Sequence, residues 1–394
     1  MSNRKILVTG ASIAGPALAY WLARHGMDVT VVERSPQFRD GGQTIDVRGA
    51  GRTVIQKMGL EETLRANTTH EAGIAFVDED DRIKAKIGAD AFGGEGPVAG
   101  LEILRGEFGR ILIAHCPETV VFRFGDRIAE IRDTGQTVEV RFEQGGEETY
   151  DLVIAAEGIG SHTRRLVFGD EVKRRSFDLY TAYFTIPRGP TDGNLFRWFN
   201  APGGFNVNLR PDNLGTTRAL LSFQEPPSGY EKLSIDAQKQ LLKTKFAGIG
   251  WETPRILAAL DATPDFYLEA IGQVRMDRWS KGRIAMVGDA AYCASPISGM
   301  GTSLALCGAY ILAGELARHD DHALAFAAYE TLMRPYVEQA QDVPTFAPRL
   351  ASPHSRLGIA IGHAVLKLAT APGFGLILGK FLSPKADAIV LPEY

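Results

Sequence analysis

Short, wholly apolar runs along the chain are each closed by a glycine or an acid. Lys5 to Thr9 follows Arg4 and stops at Gly10, the pattern of a buried strand. Pro16 to His25 carries helix-forming residues, with Pro tolerated in the first turn and Gly26 as the stop. Asp28 to Val32 is a second strand, ending at Glu33. Two later apolar runs end alike. Asp151 to Ala156 leads into Glu157-Gly158, and Arg283 to Val287 leads into Gly288-Asp289. A hairpin-like pair, Thr137 to Glu143 and Glu148 to Tyr150, turns at Gly145-Gly146 before the first of these. A long helical stretch, Ser303 to Leu316, follows the second.

From Ser176 to Arg275 the period changes to two. Asp178–Ile186, Phe196–Asn200, Phe205–Arg210 and Arg218–Phe223 read as strands separated by Pro-Gly and Asp-Asn turns. Gly73–Val77 and Arg82–Ile87 read as a strand pair added to the same sheet. Ile235–Ala247 and Thr253–Leu260 read as helices. The apolar stretch Leu357 to Leu382 is interrupted by His363, Lys367, Pro372 and several glycines. It predicts two short helices and no membrane span.

The first 35 residues read strand, glycine turn, helix, strand, acid. Gly10 permits the tight turn. The backbone at Ser12 and Ala14, at the helix start, offers free N–H groups to a pyrophosphate, and Gly15 lets helix and strand pack closely. Glu33 lies 18 residues beyond Gly15, where it can accept from an adenosine ribose. Ser12 replaces the middle glycine of the dinucleotide fingerprint and narrows the approach.

Composition removes several classes of chemistry. Of 394 residues, 45% are hydrophobic and 23% charged, which marks a folded chain. The net charge of −4 supplies no field for nucleic acid. Cys116, Cys293 and Cys307 form no CxxC pair, so a reducing, cytoplasmic setting is expected. His319-Asp320-Asp321-His322 has no third distant ligand, and no metal site is predicted. Hard chemistry then calls for an organic cofactor.

Taken in order and spacing, the three strand-glycine motifs resemble those of the FAD-dependent aromatic hydroxylases, the single-component flavoprotein monooxygenases. Gly288-Asp289-Ala290-Ala291 followed by Pro296, Gly299 and Gly301 is the most specific part. Gly41 to Asp46 and the Arg105 segment look most like the tetracycline-inactivating members. The resemblance implies an α/β fold. A Rossmann-like FAD-binding domain (1–72, 98–175 and 275–350) would carry an inserted mixed β-sheet substrate domain (73–97 and 176–274) and a C-terminal helical segment (351–394).

It further implies that Asp289 binds the flavin ribityl chain and that Pro296, Gly299, Met300, Gly301 and Thr302 lie against the flavin ring. Arg105, Asp46 and Glu33, with Arg34 beside Glu33, would contact FAD. Arg39, helped by Arg48 on the same loop, would meet NADH or NADPH, and Glu157 and Gly158 the pyrophosphate. Glu157 stands where the family usually has Asp, and Tyr292 where it usually has His. Phe184, Phe196, Trp198, Phe205 and Phe223 are candidates to line a substrate pocket, and Arg197 matches roughly a polar substrate contact. The implied reaction transfers one oxygen of dioxygen, through a flavin 4a-hydroperoxide, to a small aromatic or enolic, polyketide-like compound. A monomer or weak homodimer is expected, without nucleic acid or integral membrane partners. A flavin reductase or oxidase of the same fold, and a non-catalytic binding protein, remain as alternatives. Read singly, Asp289 also suits a helix N-cap, Arg105 an exposed helical position, Asp46 a turn cap and Arg39 a solvated loop.

Overall fold

The computed structural model describes residues 4–89, 101–369 and 388–394. The chain opens with β1 (Lys5–Thr9), α1 (Ala14–Arg24), β2 (Asp28–Glu33), β3 (Thr44–Asp46), α2 (Gly49–Lys57) and α3 (Glu61–Ala66). A hairpin, β4 (Gly73–Val77) and β5 (Ile83–Gly88), comes next. Then follow β6 (Glu102–Leu104), α4 (Arg105–His115), β7 (Val121–Phe124), β8 (Ile128–Asp133), β9 (Val138–Phe142), β10 (Glu147–Tyr150), β11 (Leu152–Ala155) and α5 (His162–Phe168). The middle holds β12 (Lys173–Pro187), β13 (Phe196–Ala201), β14 (Phe205–Pro211), β15 (Thr216–Gln224), α6 (Ile235–Lys245), α7 (Thr253–Ala259) and β16 (Tyr267–Arg275). The last part is β17 (Ser280–Lys281), β18 (Ile284–Met286), α8 (Asp289–Tyr292), α9 (Gly301–Arg318), α10 (His322–Gln341), α11 (Ala347–Ala351) and α12 (Arg356–Ala369).

The apolar runs assemble into one sheet of order β17-β18-β11-β1-β2-β7, parallel except for β17. Parallel strands are covered on both faces, hence their continuous hydrophobicity. Ile6 and Val8 join the core shared with α1, α9 and α10. Leu7, Val32, Val153 and Ile284 face Ile128, Val140 and Phe142 of the small sheet β10-β9-β8. The expected hairpin at Gly145-Gly146 is the turn between β9 and β10.

A second, mixed sheet has the order β16-β12-β15-β14-β13-β4-β5, with β4 parallel to β13 and all other pairs antiparallel. The early pair β4-β5 joins this sheet, as expected, and forms its outer edge. Helices α6 and α7 cover one face of this sheet through Leu242, Phe246, Ile256 and Leu260. The other face turns toward the first sheet, and α11 and α12 pack along part of it. Of the two helices expected in 357–382, α12 is the first; residues 370–382 lie outside the described residues, as does the predicted domain boundary at 97/98. No helix among the described residues is long and apolar enough to cross a membrane.

Candidate active site

The nucleotide end is built by close backbone packing. A Cβ on Gly15 would overlap the carbonyl oxygen of Gly10, and one on Gly10 would lie 2.6 Å from the carbonyl oxygen of Ala156. Gly10 has φ +98°, a conformation that favours glycine. These contacts draw the start of α1 against the ends of β1 and β11. Ile13, at the helix N-cap, makes no side-chain cap, so the first-turn amides around Ala14 stay available to an anion. Ser12 is exposed on the turn. Glu33 accepts from the N–H groups of Ala11 and Ser35, both at 3.0 Å, which fixes its carboxylate beside the turn. Arg39 stands 3.7 Å from Glu33 on the following loop, and Arg34 is exposed next to it.

Glu157 is turned inward. Its carboxylate accepts from Ser161 Oγ (2.6 Å), Thr163 N (2.8 Å) and Thr163 Oγ1 (2.8 Å), tying down the start of α5. The extra methylene of Glu relative to Asp gives this reach. Gly158 (φ +78°) has open space around it. Arg164, buried behind the turn, donates to the carbonyls of Ala290 and Ile159, and burial lowers its pKa to about 10. It braces the second motif against the third, a contact that spacing alone does not reveal.

Asp289 is the first residue of α8 and the cap position belongs to Gly288, so the N-cap reading is corrected. A Cβ on Gly288 would stand 3.1 Å from that of Ala14, so the third motif packs directly on the first helix. The Asp289 side chain is exposed to water, but only within a crevice between the two sheets, and desolvation there raises its carboxyl pKa. Arg105, the first residue of α4, enters the same crevice from the other side. A Cβ on Gly42 would lie 2.6 Å from its Nε, so the Gly41-Gly42 loop exists to let this guanidinium pass. Glu107 pairs with Arg110 and not with Arg105. Asp46 pairs with the buried Arg48 at 2.7 Å through Oδ2, and its buried Oδ1 has no hydrogen-bond partner. Ser303 Oγ donates to the Arg48 carbonyl at 2.9 Å and so fixes this loop to α9.

Past α8 the chain makes a sharp bend. Ser295 holds φ +74° and Gly299 φ +63°, around the single turn Pro296–Ser298. Met300 caps α9 without a side-chain bond, leaving the N–H groups of Gly301 and Thr302 facing outward with the positive end of an 18-residue helix. The buried Ser295 Oγ also lacks a partner.

The sheet wall contributes residues that the sequence reading missed. Tyr267 and Glu269 alternate on β16, and Tyr183 is the cross-strand partner of Tyr267 on β12. Tyr267 Oη donates to Glu269 Oε2 at 3.2 Å, and the two tyrosine rings stack at 6.4 Å. Burial and the neighbouring Glu269 carboxyl push the pKa of the Tyr183 hydroxyl well up. Burial pushes the Glu269 carboxyl up to about 7, with Asp289 opposing its ionisation and Arg105 favouring it. The signal was the alternation Tyr-Leu-Glu-Ala, with polar residues at every second place.

The same parity corrects the substrate-pocket reading. Phe184, Phe205 and Phe223 point to the opposite face: Phe184 and Phe223 are buried, and the rings of Phe205 and Phe223 lie 5.2 and 6.3 Å from that of Phe246. Arg197 is on that face too, 5% exposed, bridging Asp192 (2.7 Å) and Asp81 (2.8 Å). These four are core residues. Period-two alternation groups residues on a face without saying which face is covered by helices. Phe196 and Trp198, named with them, have the other parity and face the crevice side.

Glycine-cradled amides, an acid and a guanidinium in one crevice, and a free helix N-terminus define a dinucleotide-binding oxidoreductase with a substrate sheet. The unpartnered Asp46 Oδ1 and Ser295 Oγ fit a flavin nucleotide held there. Comparison with known proteins narrows this class. A family model described as FAD binding domain matches residues 3–346. A flavin-dependent monooxygenase from an unknown prokaryotic organism is 40% identical over 342 residues, covering 86% of this chain and 88% of the relative. The crystal structure of the tetracycline destructase Tet(51) superposes with TM-score 0.83 at 33% identity, covering 99% of this chain and 100% of that one. Klebsiella pneumoniae HpxO, solved with FAD and uric acid, shares the fold at TM-score 0.79 and 21% identity, covering 99% and 98% of the two chains. The chain belongs to the FAD-binding-domain family of flavin-dependent monooxygenases, and its cofactor is FAD.

Proposed function

We propose that the enzyme takes electrons from NADH or NADPH and uses dioxygen to hydroxylate a small aromatic or enolic, polyketide-like compound. The observation that carries this reading is the crevice itself. Arg105 and Asp289 face one another beneath a sheet wall bearing Tyr183, Tyr267 and Trp198. When bound, FAD supplies hydride acceptance and oxygen activation. The chain's own residues do the rest. The Gly10–Gly15 turn and the α1 amides would hold the pyrophosphate, and Glu33 the ribose. Asp289, Arg105 and Asp46 would hold the flavin end. The N–H groups of Gly301 and Thr302 would offer the positive end of α9 to negative charge there. Arg39, exposed beside Glu33, offers a cation to the nicotinamide nucleotide. The two sheets exclude water from the reacting atoms.

The test is anaerobic reduction of the yellow holoprotein by NADH and by NADPH. A substrate panel under isotopically labelled dioxygen follows. Gain of one labelled oxygen supports the proposal; peroxide as the sole oxygen product across the panel overturns it.

A further inference from the structure

Three buried polar atoms on the crevice side of the substrate sheet have no hydrogen-bond partner among the described residues: Asn208 Oδ1, Trp198 Nε1 and His363 Nε2. They are neighbours. Asn208 on β14 and Trp198 on β13 are cross-strand partners. Phe76, the partner of Trp198 on β4, has its ring 6.0 Å from that of Trp198 and 6.2 Å from that of His363 on α12. Asn208 is 2% exposed, and its Oδ1 has left water without finding a replacement among the described residues.

The next row of the same face shows that this sheet satisfies its polar groups elsewhere. Two residues along each strand, Asn200 donates to Asn206 (2.5 Å) and to the Ala351 carbonyl (2.7 Å). Asn206 donates to Ser352 Oγ (2.5 Å), and Thr181 bonds Ser222 (3.0 Å). One row is closed by α11; the other lies beneath α12, its polar atoms buried and unbonded beside the rings of Phe76, Phe196 and Trp198. A row of unmet donors and acceptors flanked by aromatic faces is the complement of a flat, polar-edged ligand.

We propose that this row reads the substrate, and that the substrate carries a hydroxyl and a carbonyl on neighbouring carbons of a planar conjugated ring. Asn208 Oδ1 accepts from the hydroxyl and Trp198 Nε1–H donates to the carbonyl. His363 closes on the same polar edge from α12, and Phe76 and Phe196 flank the ring. This inference rests on the hydroxylase reading above and names its substrate class.

The test uses FAD-loaded protein and two probes, 3-hydroxyflavone and 3-methoxyflavone, in a fluorescence binding titration. In 3-hydroxyflavone the hydroxyl bonds its own carbonyl and gives a tautomer emission that outside partners suppress. The expected result is about tenfold tighter binding of the hydroxy compound, the value of one good hydrogen bond, with tautomer emission suppressed. Asn208→Leu and Trp198→Phe should each lose about tenfold and restore the tautomer band while keeping FAD. Equal binding of the two probes, no binding of either, or unchanged binding by both variants overturns the inference. Because no turnover is measured, it can fail while reduction and oxygen insertion still proceed, and the reverse also holds.

Discussion

The hydroxyl of Tyr292 lies 2.8 Å from that of Tyr329, in space that exists because residue 308 is glycine. A Cβ on Gly308 would overlap Tyr292 Oη. Tyr329 donates onward to the carbonyl of Met286, at 3.1 Å. Tyr292 thus ties the third motif to α10, and α9 is notched to admit it. Gly308→Ala should destabilise the protein by about 1–3 kcal/mol, the usual cost of overpacking. Adding Tyr292→Phe should recover part of that loss. Chemical denaturation of the single and double variants checks both.

Asp289 is the anion of the crevice and the first residue of α8. Asp289→Ala should weaken FAD binding by about 10- to 100-fold, the range for losing hydrogen bonds to a charged group. Flavin absorbance per protein after dialysis is the measure. Full retention of FAD would contradict the assigned role.

The Glu269 carboxyl, held near 7 by burial, gives stability a defined pH dependence. Between its ordinary value of 4.5 and 7, the unfolded chain ionises while the folded chain keeps the proton. This group therefore lowers stability as pH rises across that window, with no further change above it. Glu269→Gln should flatten the slope. Melting temperatures of both proteins from pH 5 to 8, with FAD removed, test the sign.

The two faces of the substrate sheet should answer differently to truncation. Phe223→Ala, on the side covered by α6, should cost about 3–5 kcal/mol. Tyr183→Phe, one strand away on the crevice side, removes only a hydroxyl near Glu269 and should leave stability within about 1 kcal/mol. Urea unfolding separates the two outcomes.

Much of the fold was legible because its signals are local. Gly10, Gly15 and Gly288 mark places where backbone meets backbone, and the apolar runs around them belong to a sheet covered on both sides. Six of the seven strands of the second sheet showed in their period, including the early pair β4-β5; the edge strand β16 did not. What stayed hidden depends on distant packing. The inward turn of Glu157 needs Ser161 and Thr163 in place, and the Arg164 brace joins residues 126 positions apart. The choice between Phe184 and Tyr183 as pocket residue turned on which face α6 and α7 would cover, and neither strand encodes that.

The strict alternation of β12 to β15 divides the sheet's mutational load. Tyr183, Asn208, Leu220 and Trp198 share one face by register, while their immediate neighbours in sequence lie in the core on the other. Substitutions at every second position can retune what the enzyme accepts without drawing on the reserve that keeps it folded. A small combinatorial library confined to those four positions is therefore a direct route to new substrate scope, and lineages of this enzyme can diverge in specificity faster than in architecture.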